Sequence, residues 1–426
     1  MKVFVELNIN NTIHYVSLEG VATDTQWYAP YVINLDSVQY RIKHLYGGYI
    51  APQWGSITLT QDVFANDWPP PQTIGITIKV GDTQDIQFEG SGYLDSFTRE
   101  SVTYTLQPLD LSQDCLDQAP DFPETSPVTY NDNRVYPIAF GSIVHANPLR
   151  IGLDTEYKYH KGDIAGVIGT DWHVYDDGVN IDANVTDNSD GTFNLSAAPV
   201  GEVTISGNGT NVTLIDVFSW GAAKLGLTLN STYARSPSPK VNVWLNQQQK
   251  VIDFLDLTAS FYTHCFYIRA GVLHLIDMAA TVGTKTITEF EYMPSQYHLD
   301  QAVKSISCSW NVAQAVSDNT GNHIKRTQET LDVMTGLSYG EQIDVTPYGA
   351  SKSDNNTAIN SIISYLNKYR TRLKMPYTSL APSFGETVNW VDNSHINVLN
   401  GSIKVRNIEI NFADEEVILE GEGNLS

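Results

Sequence analysis

The stretch that decides the fold lies near the N-terminus and reads Val3-Phe4-Val5-Glu6-Leu7-Asn8-Ile9-Asn10-Asn11-Thr12-Ile13-His14-Tyr15-Val16-Ser17-Leu18. Between residues 2 and 8, every second side chain is apolar, which is the two-residue period of a half-buried β-strand. Asn10 and Asn11 are typical of a tight turn. The run from Ile13 to Leu18 then returns as a second strand. The chain is therefore predicted to begin with a β-hairpin.

Short strands continue from this hairpin to about residue 110, and no long helical pattern interrupts them. The further strand candidates are Gln39–Leu45, Ser56–Thr60, Thr73–Val80, Ile86–Tyr93 and Val102–Leu106. The segment Trp68-Pro69-Pro70-Pro71 is predicted to be a rigid connection, because proline donates no hydrogen bond to a β-ladder. Strands of this length and spacing indicate a sandwich or a barrel. Residues 1–112 are therefore predicted to form an N-terminal β-domain.

A linker and a second β-rich region follow. Residues 113–130 combine acidic residues with three prolines and are predicted to be the linker. Residues 131–212 are rich in Asp, Asn and Gly turns, for example Asp176-Asp177-Gly178, and are predicted to form a β-rich domain.

Two helices and a hairpin are predicted over residues 213–282. Apolar residues at helical spacing predict a helix over 214–225, with Thr213 as N-cap and Gly226 as the stop. A second helix is predicted from about Gln247 to Tyr262, with Asn246 as its N-cap. The period then changes to two, and the strands Cys265–Ile268 and Val272–Met278 are predicted to form a hairpin around Arg269-Ala270-Gly271.

The C-terminal region, residues 283–426, is predicted to be a second β-barrel-type domain with one amphipathic helix. An apolar stripe that ends with Leu373 predicts this helix over about 353–375, with Ser353 or Asp354 at its start and Pro376 as its stop. The segments Ile403–Ile410 and Glu416–Glu420 are predicted to close the chain as a hairpin. The predicted fold class is thus mainly β with a few helices (α+β), in several domains.

Composition suits a β-rich structural protein better than a cytosolic helical enzyme. The 426 residues exceed one ordinary core, so two to four domains are expected. Charged residues make up only 17%, below the usual quarter. The polar surface must therefore rely on Asn, Thr, Ser and Gln.

The charge balance excludes most proteins that bind DNA. The chain carries 48 acidic and 25 basic residues, for a net charge of −23. Such a surface repels phosphate groups, so a sequence reader or a packaging motor is not expected. The acidity is compatible with a channel wall that DNA passes without sticking, and equally with mere solubility of a β-protein.

Cysteines and hydropathy bear on the compartment. Cys115, Cys265 and Cys308 are odd in number and sparse, so neither a disulfide framework nor a metal knuckle is expected. The N-terminus lacks the apolar run of a signal peptide, and no run approaches the length of a membrane span. The chain is expected to be made in a cytoplasm and to have no stable membrane anchor.

Enzymatic motifs are absent from the sequence. Neither Gly-x-Ser-x-Gly, nor His-Glu-x-x-His, nor Gly-x-x-x-x-Gly-Lys-Ser/Thr occurs. We therefore predict no catalytic residues, no cofactor and no enzymatic activity. Asp171, Asp176 and Asp177 lie near Trp172 and Tyr175 and are compatible with a sugar site, but hairpin-turn chemistry explains them better.

The sequence contains two weak candidates for a metal site. His264 and His274 lie in the two strands of one hairpin, where they either share a metal or form a plain cross-strand or surface pair. The loop Asp187-Asn188-Ser189-Asp190-Gly191 has half of a calcium-binding pattern and lacks its final glutamate. The plain interpretation is preferred in both cases, and no metal site is predicted.

Aromatic residues provide the interface candidates. The chain has 23 Tyr, 14 Phe and 8 Trp, and most of them are expected in cores and strand pairs. Trp27, Tyr28 and Tyr31 lie in a turn-rich stretch and are the first candidates for a contact with another subunit. Trp68, in the proline-rich connection, is the next.

Several phrases of the sequence, in their order along the chain, resemble the tail-tip and baseplate hub proteins of siphophages. The phrases are Trp54-Gly55-Ser56-Ile57-Thr58-Leu59, Ser101-Val102-Thr103-Tyr104-Thr105-Leu106, Val135-Tyr136-Pro137-Ile138-Ala139-Phe140-Gly141-Ser142-Ile143, Asn147-Pro148-Leu149, Val174-Tyr175-Asp176-Asp177-Gly178-Val179, Gly191-Thr192-Phe193-Asn194-Leu195 and Pro199-Val200-Gly201-Glu202-Val203-Thr204. The run Ile252–Leu257 followed by Phe266–Leu275 also resembles the helix and hairpin of the contractile-tail hub fold.

This resemblance implies a structural role in a virion. It implies a homotrimeric hub in which each chain contributes two tube-type β-barrels, at residues 1–112 and 283–426, with inserted domains between them. Tail-tube and distal tail proteins would lie above the hub, and genomic DNA would pass through it without specific binding. Many relatives continue into fibre regions, whereas this sequence ends at Ser426. A separate central fibre or tip protein is therefore expected below the hub.

Two other tail functions remain open at this stage. A receptor- or carbohydrate-binding tail protein would need an exposed aromatic platform. A distal tail ring protein would be sixfold rather than threefold. A tailspike that degrades polysaccharide is less favoured, since no fixed-period repeat is found.

Overall fold

The structure is a computed structural model. It describes residues 2–44, 46–81, 85–108, 110–117, 135–150, 156–158, 171–188, 192–207, 212–287, 291–293, 303–318, 321–336, 340–348, 351–366, 370–377, 383–392 and 399–425.

Strands dominate each part of the chain. Those before residue 110 are β1 (Val3–Ile9), β2 (Thr12–Ser17), β3 (Val21–Ala22), β4 (Trp27–Tyr28), β5 (Val32–Leu35), β6 (Val38–His44), β7 (Gly47–Gln53), β8 (Ser56–Thr60), β9 (Thr73–Val80), β10 (Asp85–Phe97) and β11 (Ser101–Pro108). Those between residues 135 and 210 are β12 (Ile138–Phe140), β13 (Ile143–Ala146), β14 (Leu149–Arg150), β15 (Glu156–Lys158), β16 (Trp172–Asp176), β17 (Val179–Asn180), β18 (Val185–Asp187), β19 (Thr192–Leu195) and β20 (Val203–Gly207).

The α-helices of the described residues all lie after residue 213, and two short 3-10 helices, Gln61–Phe64 and Asp182–Asn184, precede them. The remaining elements are α1 (Leu214–Lys224), β21 (Thr228–Tyr233), β22 (Val243–Leu245), α2 (Val251–Phe261), β23 (His264–Arg269), β24 (Val272–Asp277), β25 (Thr284–Ile287), β26 (Glu291–Met293), β27 (Val303–Asp318), β28 (Gly321–Met334), β29 (Glu341–Asp344), α3 (Lys352–Tyr365), β30 (Arg370–Pro376), β31 (Thr387–Asp392), β32 (Leu399–Asn411) and β33 (Glu416–Leu425). The predicted class, mainly β with a few helices in several domains, is confirmed. No described helix has the length and apolarity needed to cross a membrane.

The first sheet is a curled, antiparallel sheet of seven strands in the order β2-β1-β9-β10-β11-β8-β5. The predicted N-terminal hairpin is confirmed, and Asn10 and Asn11 both adopt positive φ in its turn. Residues 29–31 bridge the two sheet edges, since Ser17 N–H donates to Ala29 O (2.8 Å) and Thr60 N–H donates to Tyr31 O (2.9 Å). The sheet is thereby wrapped around its own apolar face.

The second sheet has eleven strands and is built from distant parts of the chain. Its path is β21-β24-β23-β7-β6-β32-β33-β30-β26, and β31 joins β32 to β25. The β6–β7 hairpin leaves the first sheet, and Tyr40 of β6 pairs with Ile408 of β32. Segment 1–112 therefore supplies strands to both sheets. The boundaries given for the domains from the sequence remain predictions. Core residues of both sheets form one continuous apolar cluster.

Smaller sheets and the helices form a second apolar cluster in the middle of the chain. The small sheets are β12-β22, β13-β20-β16-β17, β14-β15-β19-β18 and β28-β27-β29. Helix α1 packs on α2, and a side chain at Gly221 would collide with Leu255 of α2.

The first predicted helix is confirmed, whereas the start of the second was wrong. Thr213 and Asp216 form a reciprocal capping box at the start of α1. Helix α2 begins at Val251, and no side chain caps it. The preceding residues are held extended by the segment predicted as a linker, because Cys115 N–H donates to Gln249 O and Val251 N–H donates to Gln113 O, both at 2.9 Å. The described end of that segment, 113–117, is thus packed, with Cys115 fully buried.

The end of the third predicted helix was also wrong. Helix α3 is capped by Ser351 and ends at Tyr365. Residues Arg370–Pro376 form strand β30, which pairs with β33. Within it, Leu373 and Met375 are buried, Arg372 and Lys374 are half-buried and Pro376 is exposed, which is a period of two rather than 3.6. The two predicted hairpins, β23–β24 and β32–β33, are confirmed.

Candidate functional site

Trp27 and Tyr28 lie in a flap that covers the outer face of the first sheet. The Tyr28 ring packs edge-on against Phe4 and Tyr15, and its hydroxyl donates to Glu6 Oε1 at 2.9 Å. Tyr28 is only 2% exposed, so it is a core residue of the flap and not a surface residue as the interface prediction required. Adjacent residues of a strand point to opposite sides, and Trp27 is 56% exposed.

Tyr31 and Trp68 occupy different environments. Tyr31 is half-buried against the core shared by the two sheets. Trp68 is 42% exposed and packs edge-on against Phe97, which is 48% exposed, with ring centroids 5.4 Å apart. Of the four interface candidates, Trp27 and Trp68 therefore lie on the surface of this chain. Their part in a contact with another subunit stays a prediction.

Aromatic packing fixes the two large sheets against each other. The Trp54 ring lies between Phe88 of the first sheet and Phe412, which is in the connection between β32 and β33 of the second sheet. The centroid distances are 4.8 Å to Phe88 and 6.2 Å to Phe412. The Tyr40 hydroxyl donates to Gln87 O at 2.8 Å. The space left at this junction is about 40 Å³, enough for only a few water molecules. The junction is therefore a packed joint and not a ligand pocket.

A buried carboxylate joins the β6–β7 hairpin to helix α2. Asp256 of α2 is 1% exposed. One oxygen accepts from Tyr49 N–H at 2.7 Å, and the other lies 2.9 Å from Lys43 Nζ and 3.1 Å from His44 Nε2. We call Asp256 with Lys43, His44 and Tyr49 N–H the hairpin lock. Burial alone would raise the pKa of Asp256, but the bonds from His44, Tyr49 and Lys43 hold this pKa below its usual value.

Gly48 makes the close approach in the hairpin lock possible. Its φ of +99° is a conformation that side chains rarely adopt. A Cβ at this position would also run into Asp256 Oδ1. Glycine at position 48 therefore lets the turn of the β6–β7 hairpin lie directly against the buried Asp256 carboxylate. Beside the lock lies a cleft of about 440 Å³, lined by Tyr46, Leu257 and Val345 among others.

A second polar cluster lies behind strand β23. Arg235 binds Asp277 through two parallel bonds, Nε to Oδ2 at 2.9 Å and Nη2 to Oδ1 at 3.0 Å. His264 is fully buried, and its Nδ1–H donates to Tyr262 O at 2.9 Å while its Nε2 accepts from Arg235 N–H at 3.3 Å. These two bonds require the neutral imidazole. Burial, despite nearby Asp277, lowers the pKa of His264 to about 4.

The buried histidine predicts a pH dependence of stability. The unfolded chain binds this proton near pH 6.5, whereas the folded chain binds it near 4. The unfolded state thus binds more protons in this interval, and the free energy of unfolding is expected to fall by about 3 kcal/mol from pH 6.5 to 4. Urea unfolding at pH 7, 6, 5 and 4 measures this slope.

The matched variant for this prediction is His264→Asn, whose amide can still donate to Tyr262 O. It is expected to flatten the slope without abolishing it, because burial also lowers the pKa of His274. An unchanged slope in the variant would assign the pH dependence to other groups.

The two weak metal candidates have different outcomes. His264 pairs with Asp277 across the hairpin, and His274 pairs with Tyr267, on which it stacks at 4.6 Å. The two histidines therefore do not face each other, and the shared-metal alternative is wrong. The calcium-like loop reaches residues 189–191, which lie outside the described residues. Across the described ranges, no group of three or more His, Cys, Asp or Glu side chains is arranged to hold a metal ion.

The aspartates near Trp172 form a turn. Asp177 and Gly178 adopt positive φ between β16 and β17. Asp176 accepts from the backbone N–H groups of Val200 and Gly201, both at 2.7 Å. The Asp176 carboxylate thus holds the backbone of the loop at Val200 and Gly201, as the turn interpretation predicts.

Comparisons with known proteins give only distant likenesses. No protein-family model and no curated protein matches the chain. Among solved structures, a tail protein from Neisseria meningitidis matches at 8% identity, with a TM-score of 0.47 over 99% of this chain and 97% of that one. A prophage tail protein from Shewanella oneidensis matches at 8% identity, with a TM-score of 0.43 over 99% and 98%. A prophage tail protein from Listeria monocytogenes matches at 9% identity, with a TM-score of 0.41 over 100% and 95%. With TM-scores below 0.5, these likenesses decide neither the fold nor the function of this chain.

Proposed function

We propose that the protein is a non-enzymatic structural subunit of a bacteriophage tail, and more narrowly a homotrimeric hub of the tail tip or baseplate. In this role it joins the tail tube and distal tail ring above to a separate fibre or tip protein below. It also forms part of the channel through which DNA leaves the virion. The order of the hub-like phrases in the sequence first suggested this function.

The observation that carries the proposal is the construction of the two large sheets. Each is curled, and the β6–β7 hairpin and the Trp54 packing hold them together as one body. Three copies of such a chain would present six curled sheets in one ring. A ring of that kind has the geometry to adapt a sixfold tube to a threefold fibre. Rigid joints suit this role, because the hub must keep its shape while neighbours dock on both sides.

Electrostatics supports a passage that does not bind DNA. The net charge of −23 leaves a surface with few Lys or Arg partners for phosphate. DNA in transit would therefore be repelled and not held.

The test is the mass of the purified chain by light scattering, together with class averages from negative-stain images. A mass of three chains and a threefold ring are expected. A sixfold ring would point to a distal tail ring protein. A particle that stays monomeric at every concentration would contradict the hub.

Exposed tryptophans favour a second candidate, a receptor- or carbohydrate-binding tail protein. Trp27 and Trp68 offer exposed aromatic faces on which sugars can stack. Binding of the chain to host cell-wall glycans, lost in Trp27→Ala or Trp68→Ala, would support this candidate.

A further inference from the structure

The longest hairpin in the described part of the chain is a ribbon formed by β27 and β28. Its strands pair from Ser305↔Met334 to Asp318↔Gly321 without any register shift. The base of the ribbon is anchored in the middle apolar cluster, where Val303, Ile306 and Cys308 are buried. Strand β29 pairs with β27 only along this base, between Val303 and Ser307.

Two backbone bonds decide which groups of the ribbon face outward. Thr335 N–H donates to Lys304 O at 2.9 Å, so even-numbered residues of β27 bond to β28. Val345 N–H donates to Ser307 O at 2.9 Å, so odd-numbered residues of β27 direct their backbone groups away from β28. Antiparallel ladders keep this alternation. The N–H and C=O groups of residues 309, 311, 313, 315 and 317 therefore face outward.

Within the described ranges, no strand pairs with this edge beyond Ser307, and none pairs with the outer edge of β28. Proteins usually protect such edges with charges, prolines or bulges, because an open edge accepts a further strand. The segment Ser309–Ser317 contains no charged residue and no proline, and the ladder has no bulge. A long two-stranded ribbon is also only marginally stable by itself.

We propose that the ribbons of three copies pair edge to edge. The β27 edge of one copy takes the β28 edge of the next, and three ribbons close into a six-stranded barrel on the threefold axis. A barrel of six strands is filled by its own side chains, so it would close the channel until the ribbons separate for the passage of DNA. This inference rests on the proposed trimer and assigns one of its contacts. The partner is a second copy of this chain, bound by strand addition through main-chain hydrogen bonds.

Geometry favours this partner. In ribbons that point the same way along the axis, β27 of one copy lies beside β28 of the next and runs opposite to it. Every new ladder is thus antiparallel, and a head-to-tail ring closes without leaving an edge. Pairing between copies also supplies the strands that a lone ribbon lacks.

Proline tests the edge because it removes one backbone donor. In Ala313→Pro the lost N–H faces outward, so the ladder to β28 keeps all its bonds. We expect this full-length variant to form trimers only at higher concentrations than the wild type, measured by light scattering over a dilution series, with the far-UV circular dichroism of the wild type. The matched control Ala313→Ser keeps the N–H and is expected to remain trimeric. An Ala313→Pro variant whose trimers dissociate at the same concentration as those of the wild type would overturn the ribbon barrel.

Hydrogen exchange of the unmodified protein gives an independent readout, whether or not the proline variant folds. Amides of residues 309–317 that face outward are expected to exchange slowly in the trimer and fast after dilution to monomers. A threefold trimer in which these amides exchange fast would reject the ribbon barrel and leave the hub intact. A protein that is monomeric or sixfold at every concentration would reject both the ribbon barrel and the hub.

Discussion

Phe254→Asp is expected to unfold the middle of the protein. Phe254 is fully buried in α2. Its ring stacks on Phe140 at 5.8 Å and meets Trp220 and Tyr348 edge-on at 6.0 and 6.2 Å. The substitution removes this packing and leaves a carboxylate unpaired among apolar side chains. The combined loss is about 5 kcal/mol or more, comparable to the whole stability of many domains.

The matched control for this prediction lies one turn further along the same helix. Leu257 is 38% exposed, so Leu257→Asp places the same charge on the same helix in contact with water. Its expected cost is within about 1 kcal/mol. Soluble yield, near-UV circular dichroism and urea unfolding of both variants measure the difference. A Phe254→Asp protein that unfolds like the wild type would contradict the packing of α2.

Local signals in the sequence predicted the elements that local interactions determine. The Asn10-Asn11 turn, the capping box of α1 and the β23–β24 hairpin each depend on residues close in the chain. The start of α2 could not be predicted in this way, because Gln248 and Gln249 bond to the segment around Cys115. That contact spans more than a hundred residues and has no local pattern.

Strand β30 shows a signal that was present but misinterpreted. Leu373 fits both the helical stripe that starts at Ile359 and the alternation Leu373, Met375. Pro376 was interpreted as a helix stop, yet it is also tolerated at the end of a strand. Pairing with β33 makes this segment a strand, so the two-residue period holds here and the helical period of 3.6 does not. Likewise, no sequence pattern could show that β6 pairs with β32, since their contact depends on the two sheets packing together.

The sites were less predictable than the fold. The interface prediction for Tyr28 was based on its position in a turn-rich stretch, but Trp27 and Tyr28 form a short strand, in which adjacent side chains point to opposite sides. The hairpin lock was missed altogether. Asp256 does carry a signal in the sequence, because it interrupts the apolar run Phe254-Leu255-Asp256-Leu257 at a helix that is buried on most sides. Its partners, Lys43 and His44, lie two hundred residues away and could not be paired with it from the sequence.

Asp256→Ala is expected to release the β6–β7 hairpin from α2. The variant leaves Tyr49 N–H without its acceptor, removes the counter-charge of Lys43 and takes away the hydrogen-bond partner of His44. Breaking one side of a buried ion pair costs about 3 kcal/mol or more. Lys43 is half-exposed and can return to water, so we expect a loss of about 3 kcal/mol. Urea unfolding at pH 7 measures this loss.

Asp253→Ala is the matched control, because Asp253 lies in the first turn of the same helix but its side chain is 56% exposed and 3.6 Å from Lys43. It is expected to cost less than about 1 kcal/mol, the value of a surface ion pair and a helix-dipole contact together. Equal losses in the two variants would mean that burial of Asp256 contributes nothing. The larger loss predicted for Asp256→Ala should also appear as faster hydrogen exchange in β6 and β7. Since this hairpin ties the first sheet to the second, its release would loosen the joint that a rigid hub requires.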